Sequence, residues 1–385
     1  MSLPSRCGRG AVLVVLAGAL AGAAVGCAGN GAHGPVSAHE LARRLRSEGI
    51  DPASVVVPFE LSGEMRAWVH RVVPNSVPPD RRLDRLLSAL LDSATLQLQY
   101  EAGFTGTARE VFESHRANCL GFTNLFVAMA REAELPVYFL DVDDIDKFEK
   151  EGDLVVESSH VTAGYGTGNS MRVLDFTIGP VAHYRQVRAI SDLTAVALYY
   201  SNRGAELLRA GRPEEAVRWL HTAVALDPAF ARGWINYGVS LRRTGDLAGA
   251  EAAYRKALEQ DPQAVSAYQN LATVLRSKGR RAEADGLIAL TARLDSRNPF
   301  NYLALGDLSL AGGRLDEARR FYDKARRLDA KSAEPCAALA ELALTAGEKR
   351  TARRWLDKAR SLDPANERVQ RVARLYERLA KGEAS

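Results

Sequence analysis

The second half of this chain repeats itself every 34 residues, and that period constrains the fold more than any other feature. With residue 197 as the first position of the first unit, further units begin at 231, 265, 299 and 333 without an insertion. Small residues recur at the eighth position: Gly204, Gly238, Ala272, Gly306 and Ala340. Alanine recurs at the twentieth, as Ala216, Ala250, Ala284, Ala318 and Ala352. Bulky side chains hold the twenty-fourth: Leu220, Tyr254, Ile288, Tyr322 and Leu356. The twenty-seventh carries Ala223, Ala257, Ala325 and Ala359, with Thr291 as the exception. A unit this short cannot bury an apolar face alone, so neighbours must stack into one continuous core. The small residues let the two helices of a unit approach closely, and the large ones are expected to fill the space between neighbouring units.

The pattern over residues 197–364 resembles the tetratricopeptide repeat, five units in one register. The resemblance implies an all-α solenoid whose groove receives peptides or partner proteins and which does no chemistry itself. Within 365–385, Glu367 to Leu379 forms an amphipathic pattern suited to a capping helix, with its arginines outward. Cys336, at the fourth position of the fifth unit, reads as a small buried hydrophobe.

The N-terminus has a different character. Arg6 and Arg9 precede AVLVVLAGALAGAAV, an uncharged run of 15 residues that ends at Gly26-Cys27. It is too short and too rich in Ala and Gly for a comfortable membrane span, and it reads as a leader. Its end, AVGC from Ala24 to Cys27, resembles the lipobox of bacterial lipoproteins, with Ala24 where Leu is preferred. The resemblance implies cleavage after residue 26, lipid on the Cys27 thiol, and residues 27–37 as a flexible tether. Ala28 after the cysteine implies the outer membrane, with the protein facing the periplasm. An ordinary secretory signal is the alternative. Removing residues 1–26 takes away two arginines and no acid, so the formal charge falls from +4 to +2. That balance excludes a dedicated nucleic-acid binder, which needs a concentrated basic face. Cys119 and Cys336 are then the only unmodified thiols, and no disulfide framework is readable.

Any chemistry must come from residues 38–190. Up to residue 116 the segment reads as mainly helical, with Leu83, Leu86, Leu87, Leu90 and Leu91 at helical spacing. Thr107 with Glu110 three residues on is a capping box, and it opens a helix AREVFESHR that delivers the chain to Asn118-Cys119. In NCLGFTNLFVAMAREAELPVYFLDV, the residues Cys119, Phe122, Phe126, Met129 and Ala133 recur at steps of three or four, so Cys119 lies on an inward stripe and could simply be core. Asn118 is a favoured N-cap, which puts Cys119 in the first turn. There the unpaired backbone N–H groups stabilise a thiolate and could receive an oxyanion.

A nucleophilic thiol needs a base, and the base an orienting partner. Downstream, SSHVTAGYGTGNSMRVLDFT reads as two strands joined by a Gly-rich turn. With Thr167-Gly168 at the turn centre, residue i pairs with residue 335 − i, and His160 lies directly opposite Asp175. Direct cross-strand partners have Cβ atoms roughly 4.5–5.5 Å apart, within reach of a carboxylate–imidazole bond.

A helix opening with Cys, then a hairpin carrying His and Asp in that order, resembles the transglutaminase-like superfamily. The resemblance implies a small α+β, papain-like domain. It also implies Cys119 as nucleophile, His160 as general base and acid, Asp175 as the group orienting His160, and no cofactor. Two features depart from common relatives: no Gly stands in His115-Arg116-Ala117-Asn118, and HVT replaces an aromatic two residues after the histidine. The implied function is thiol-dependent acyl transfer, as peptidase, amidase or protein cross-linker, with the repeats recruiting a protein or peptide. The alternative is an inactive domain serving with the repeats as a scaffold. The acidic run DVDDIDKFEKEGD, Asp141 to Asp153, reads as a solvated loop; Ile145 at its fifth position breaks the EF-hand pattern. No Cys/His cluster has zinc spacing. The interval from Thr177 to Ala197 is short for a free linker and contains a helix, SDLTAVALYY, so the two parts are expected to dock.

Overall fold

The structure, a computed structural model, describes residues 15–17, 38–92, 95–101, 103–151, 154–166, 171–176, 184–294 and 298–380. Cys27 and the tether lie outside the described residues. The chain divides into two compact units, Met1–Lys147 with Ser158–Gly245, and Phe148–Glu157 with Asp246–Ser385.

The first unit opens with β1 (Val15–Ala17), α1 (Ala38–Ser47), α2 (Gly63–Val72) and α3 (Pro79–Leu91). Next come β2 (Gln99–Tyr100), α4 (Ala108–Ser114), β3 (Arg116–Ala117) and α5 (Cys119–Glu132). Strands β4 (Val137–Glu151), β5 (Leu154–Tyr165), β6 (Arg172–Asp175) and β7 (Tyr184–Ile190) join β1 in a sheet ordered β1-β6-β5-β4-β7. Helices α6 (Asp192–Arg209), α7 (Pro213–Leu226) and α8 (Ala231–Arg243) follow. At the centre is α5, buried from Leu120 to Ala130 on every side. A helix without a polar face has to be enclosed, and α5 is. The stripe read from the sequence is therefore one side of a helix that is core all round.

Two expectations change here. The acidic run is not a loop: β4 continues to Glu151, and Asp141 to Asp144 pair with β7 across a bulge at Asp143/Asp144. Asp141 is buried because arginines neutralise it. Arg232 Nη2 reaches Oδ2 at 2.7 Å and Arg188 Nη2 reaches the same oxygen at 3.2 Å. The helix SDLTAVALYY is also not separate from the first repeat; α6 is one helix of 18 residues that serves both. Ser191 caps it by accepting the Thr194 N–H at 3.1 Å. Its aromatic pair Tyr199 and Tyr200 packs on Trp219 of α7 with centroids 6.2 and 5.0 Å away. Those tyrosines belong to the same apolar cluster as α5.

The second unit holds α9 (Leu247–Gln260), α10 (Val265–Ser277), α11 (Arg281–Leu294), α12 (Pro299–Ala311), α13 (Leu315–Leu328), α14 (Glu334–Thr345), α15 (Lys349–Leu362) and α16 (Glu367–Ala380). Helices α8, α10 and α12 begin at 231, 265 and 299, where the repeat register places them. Between the helices of each repeat stands a glycine the sequence reading passed over: Gly211, Gly245, Gly279, Gly313 and Gly347, with φ from +72° to +90°. Only glycine takes that conformation without penalty. All five alanines at the twentieth position are fully buried. The bulky twenty-fourth residue faces two ways: Tyr322 shares a cluster with Ala338, Leu339 and Leu342 of the next repeat, and it also fills the space over the small position of its own. A Cβ on Gly204 would lie 2.5 Å from Leu220 Cγ, and one on Gly306 would collide with the Tyr322 ring. Small and large positions thus interlock as a pair.

The cap has one inward arginine, against the expectation of an outward set. Arg368 of α16 is 7% exposed and holds Asp307 of α12 at 2.6 Å and Glu341 of α14 at 2.9 Å. Burial pulls the Arg368 pKa down, but the charges of Asp307 and Glu341 outweigh it and hold the group cationic. Arg368→Ala removes the buried cation that Asp307 and Glu341 share, together with the packing of its stem, and is expected to cost about 2 kcal/mol in urea unfolding.

Glu251 of α9 gathers Lys278 at 2.7 Å, Arg280 at 2.7 Å and Arg255 at 2.9 Å. The Lys278 hydrogen bond first, then those of Arg255 and Arg280, hold its pKa down to about 2 against the opposing effect of burial. A depressed folded value contributes stability above the unfolded value of about 4.3 and loses it as pH falls toward 2. Glu251→Gln is expected to destabilise by up to about 1 kcal/mol at neutral pH and by nothing near pH 2, read from melting curves across that range.

Candidate active site

The path to Cys119 is built from capped and pinned backbone. Thr107 Oγ1 accepts the Glu110 N–H at 3.2 Å while Glu110 Oε2 accepts the Thr107 N–H at 2.7 Å, so the expected capping box opens α4. His115 ends that helix in the left-handed region, φ +60°, before the segment AREVFESHR is complete. Arg116 and Ala117 then pair parallel with Gln99 and Tyr100. Asn118 is extended and caps α5: its Oδ1 accepts the Gly121 N–H at 3.0 Å. Its Nδ2 donates to Thr105 Oγ1 at 2.6 Å and its backbone N–H to the Phe104 carbonyl at 3.0 Å.

Cys119 is therefore the first residue of an N-capped helix, as the sequence implied, and it is half-buried and outside any disulfide. The eleven residues after it are fully enclosed. Gly121 lets the loop at Gly106 lie against this turn; a Cβ there would stand 3.1 Å from Ala117 Cβ and 3.4 Å from the Gly106 nitrogen. The other thiol, Cys336, is 2% exposed, and burial pushes its pKa up.

Two contacts bring the hairpin to α5. The Thr123 hydroxyl, one turn after Cys119, lies 2.8 Å from the Cys119 carbonyl and 3.2 Å from the carbonyl of Val161, the residue after His160. Phe176, the residue after Asp175, stacks on Phe122 at 5.9 Å and leans on Phe126 at 5.3 Å. The backbone at both candidate positions is thus fastened to the first two turns of α5.

The hairpin register differs from expectation. Ala163 pairs with Leu174, Gly164 with Val173 and Tyr165 with Arg172, two residues away from the register that sets His160 directly opposite Asp175. β5 ends at Tyr165, before Gly166 with φ +85°, and β6 begins at Arg172, so residue i pairs with residue 337 − i. The even shift keeps positions 160 and 175 in phase, as diagonal rather than direct neighbours. The side chains of His160 and Asp175, and with them the expected thiol–imidazole contact, lie outside the described residues. Of the other histidines, His70 holds Glu132 at 2.9 Å and His221 packs on Tyr237 at 5.8 Å. Among the described residues no three His, Cys, Asp or Glu side chains are grouped to hold a metal.

A half-buried thiol thus stands at a capped helix start beside an antiparallel hairpin. Residues 66–147 match the transglutaminase-like superfamily, a span that includes Cys119 and stops before His160 and Asp175. Residues 202–265 and 309–376 match tetratricopeptide repeats. The chain thus carries a transglutaminase-like domain followed by a tetratricopeptide-repeat solenoid. No curated protein matches it. Among solved structures it is similar to the anaphase-promoting-complex hetero-tetramer Cut9-Hcn1, at 20% identity and a TM-score of 0.43 over 48% of this chain and 37% of that one. It is similar to the tetratricopeptide protein TTC0263 of Thermus thermophilus, at 21% identity and 0.41 over 46% and 97%. It is also similar to pilF of Pseudomonas aeruginosa, at 21% and 0.38 over 47% and 85%.

Asn118→Ala removes the cap and a hydrogen-bond partner of the buried Thr105 hydroxyl; a loss of about 1–2 kcal/mol is expected in thermal unfolding. Thr123→Val keeps the shape and removes the link to Val161, and is expected to speed hydrogen exchange along β5 while leaving α5 protected.

Proposed function

We propose that this protein is an envelope-anchored lipoprotein in which Cys119 performs acyl transfer on a protein or peptide brought to it by the repeats. The observation that supports this most is the exposure pattern of α5: one half-buried thiol in the capped first turn of a helix sealed in core from Leu120 to Ala130. Backbone N–H groups at a helix start favour a thiolate and could receive the oxyanion. In the proposed reaction the Cys119 thiolate attacks an amide carbonyl, a C–S bond forms, and the amine leaves with a proton from His160. Asp175 orients the imidazole. Water then resolves the thioester to an acid, or a lysine amine resolves it to a new amide. The repeats are of a protein-interaction kind, and recruiting that protein is their proposed role. Cys27, cleaved and acylated after AVGC, is proposed to hold the molecule at the outer membrane on the periplasmic side.

The test is iodoacetamide labelling of Cys119 against pH, in protein starting after Cys27 and carrying Cys336→Ser. Fast labelling well below pH 8 that falls at least tenfold in His160→Ala is expected. Labelling that is slow, waits for unfolding and ignores His160 would leave the scaffold role. For the anchor, cells expressing the full chain are expected to incorporate labelled palmitate, and Cys27→Ser to abolish it.

A further inference from the structure

We propose that Glu206, a residue of the first repeat, positions the Cys119 turn; this rests on reading Cys119 as the nucleophile. Glu206 Oε1 accepts the backbone N–H of Thr105 at 2.9 Å, across 101 residues of sequence. Thr105 Oγ1 in turn accepts Asn118 Nδ2 at 2.6 Å, and Asn118 Oδ1 accepts the Gly121 N–H in the first turn of α5. The chain of three bonds runs from a repeat helix to the amide groups beside the thiol.

Thr105 is 1% and Asn118 7% exposed, and the Glu206 side chain is 18% exposed. Thr105 lies outside any helix or strand, so Glu206 is the acceptor its buried N–H has. Without that acceptor the N–H must find water or move, because a buried unpaired donor is costly. The loop cannot absorb such a move quietly. A Cβ on Gly106 would sit 2.9 Å from the Phe104 ring, and the Phe104 carbonyl holds the Asn118 N–H. A shift at Thr105 therefore passes to Asn118 and to the cap. The second Glu206 oxygen, Oε2, is held by Arg203 Nη1 at 2.8 Å, which fixes the carboxylate from the solvent side. Glu206 touches no reacting atom; it acts through Asn118. Anything that shifts α6 would be felt at the thiol by this route.

The experiment compares Glu206→Ala and Glu206→Gln with the parent carrying Cys336→Ser. It uses the pH profile of Cys119 alkylation and hydrogen exchange at the Thr105 and Gly121 amides. Gln keeps an acceptor for Thr105 and is expected to stay within about twofold of the parent. Ala is expected to slow labelling at neutral pH about tenfold, to move the midpoint of the profile upward, and to speed exchange at both amides. A melting temperature that falls in the Ala variant while the profile and Gly121 exchange stay put would overturn the proposal and leave Glu206 merely structural. If labelling of the parent ignores His160, the acyl-transfer reading fails by itself. Exchange at Gly121 still decides the relay then: faster in the Ala variant supports it, unchanged overturns it.

Discussion

Arg131 closes a bidentate pair on Asp192, Nη1 to Oδ2 at 2.8 Å and Nη2 to Oδ1 at 2.9 Å, where the last turn of α5 meets the first turn of α6. Each charge also sits at the helix end that favours it, a cation at a C-terminus and an anion at an N-terminus. Asp192 is 3% exposed, so its desolvation is repaid only while the guanidinium stays aligned. Much of the first unit depends on this junction. It sets where α6 starts, and α6 is too long to belong to one part alone. Its first half completes the apolar cluster around α5, and its second half is the opening helix of the repeats.

Other bonds along α6 and α7 follow from that placement. The Tyr200 hydroxyl accepts the Val56 N–H at 2.7 Å, and Arg44 of α1 donates to the Leu226 carbonyl at 2.8 Å. With these, segments before and after the sheet close on the same core. The first repeat is thus joined to the cysteine domain more intimately than by a contact between finished domains, because it supplies wall to the cysteine helix. The thiol gains a rigid setting from it: a helix that cannot rotate, a cap held on three sides, and a hairpin pinned by Thr123 and Phe176.

How legible this was depended on whether the cause lay near in sequence. The repeats could be read because packing dictates size at fixed positions, and five copies agree. The caps at Thr107 and Asn118 could be read because the partner amide lies within three residues. The register of the β5–β6 hairpin was not legible, since a Gly-rich turn accepts more than one centre and both choices keep the same alternation. Asp141 looked solvated because its partners, Arg188 and Arg232, lie 47 and 91 residues away. β7 escaped because the apolar residues of YRQVRAI do not alternate: Val187 and Ala189 fall on one face, Tyr184 and Ile190 on the other. Thr123 offered only a faint signal, a small hydroxyl one turn beyond the cysteine, and the Thr105–Glu206 bond offered none.

α5 and α6 form one cooperative structure, so that the first repeat belongs to the cysteine domain. Native-state hydrogen exchange on the whole chain, followed against low denaturant, tests it directly. The slowest amides of Cys119–Glu132 and Asp192–Arg209 are expected to converge on one opening free energy. Exchange of α6 through a cheaper opening shared only with α7 and α8, while α5 stays protected, would contradict it.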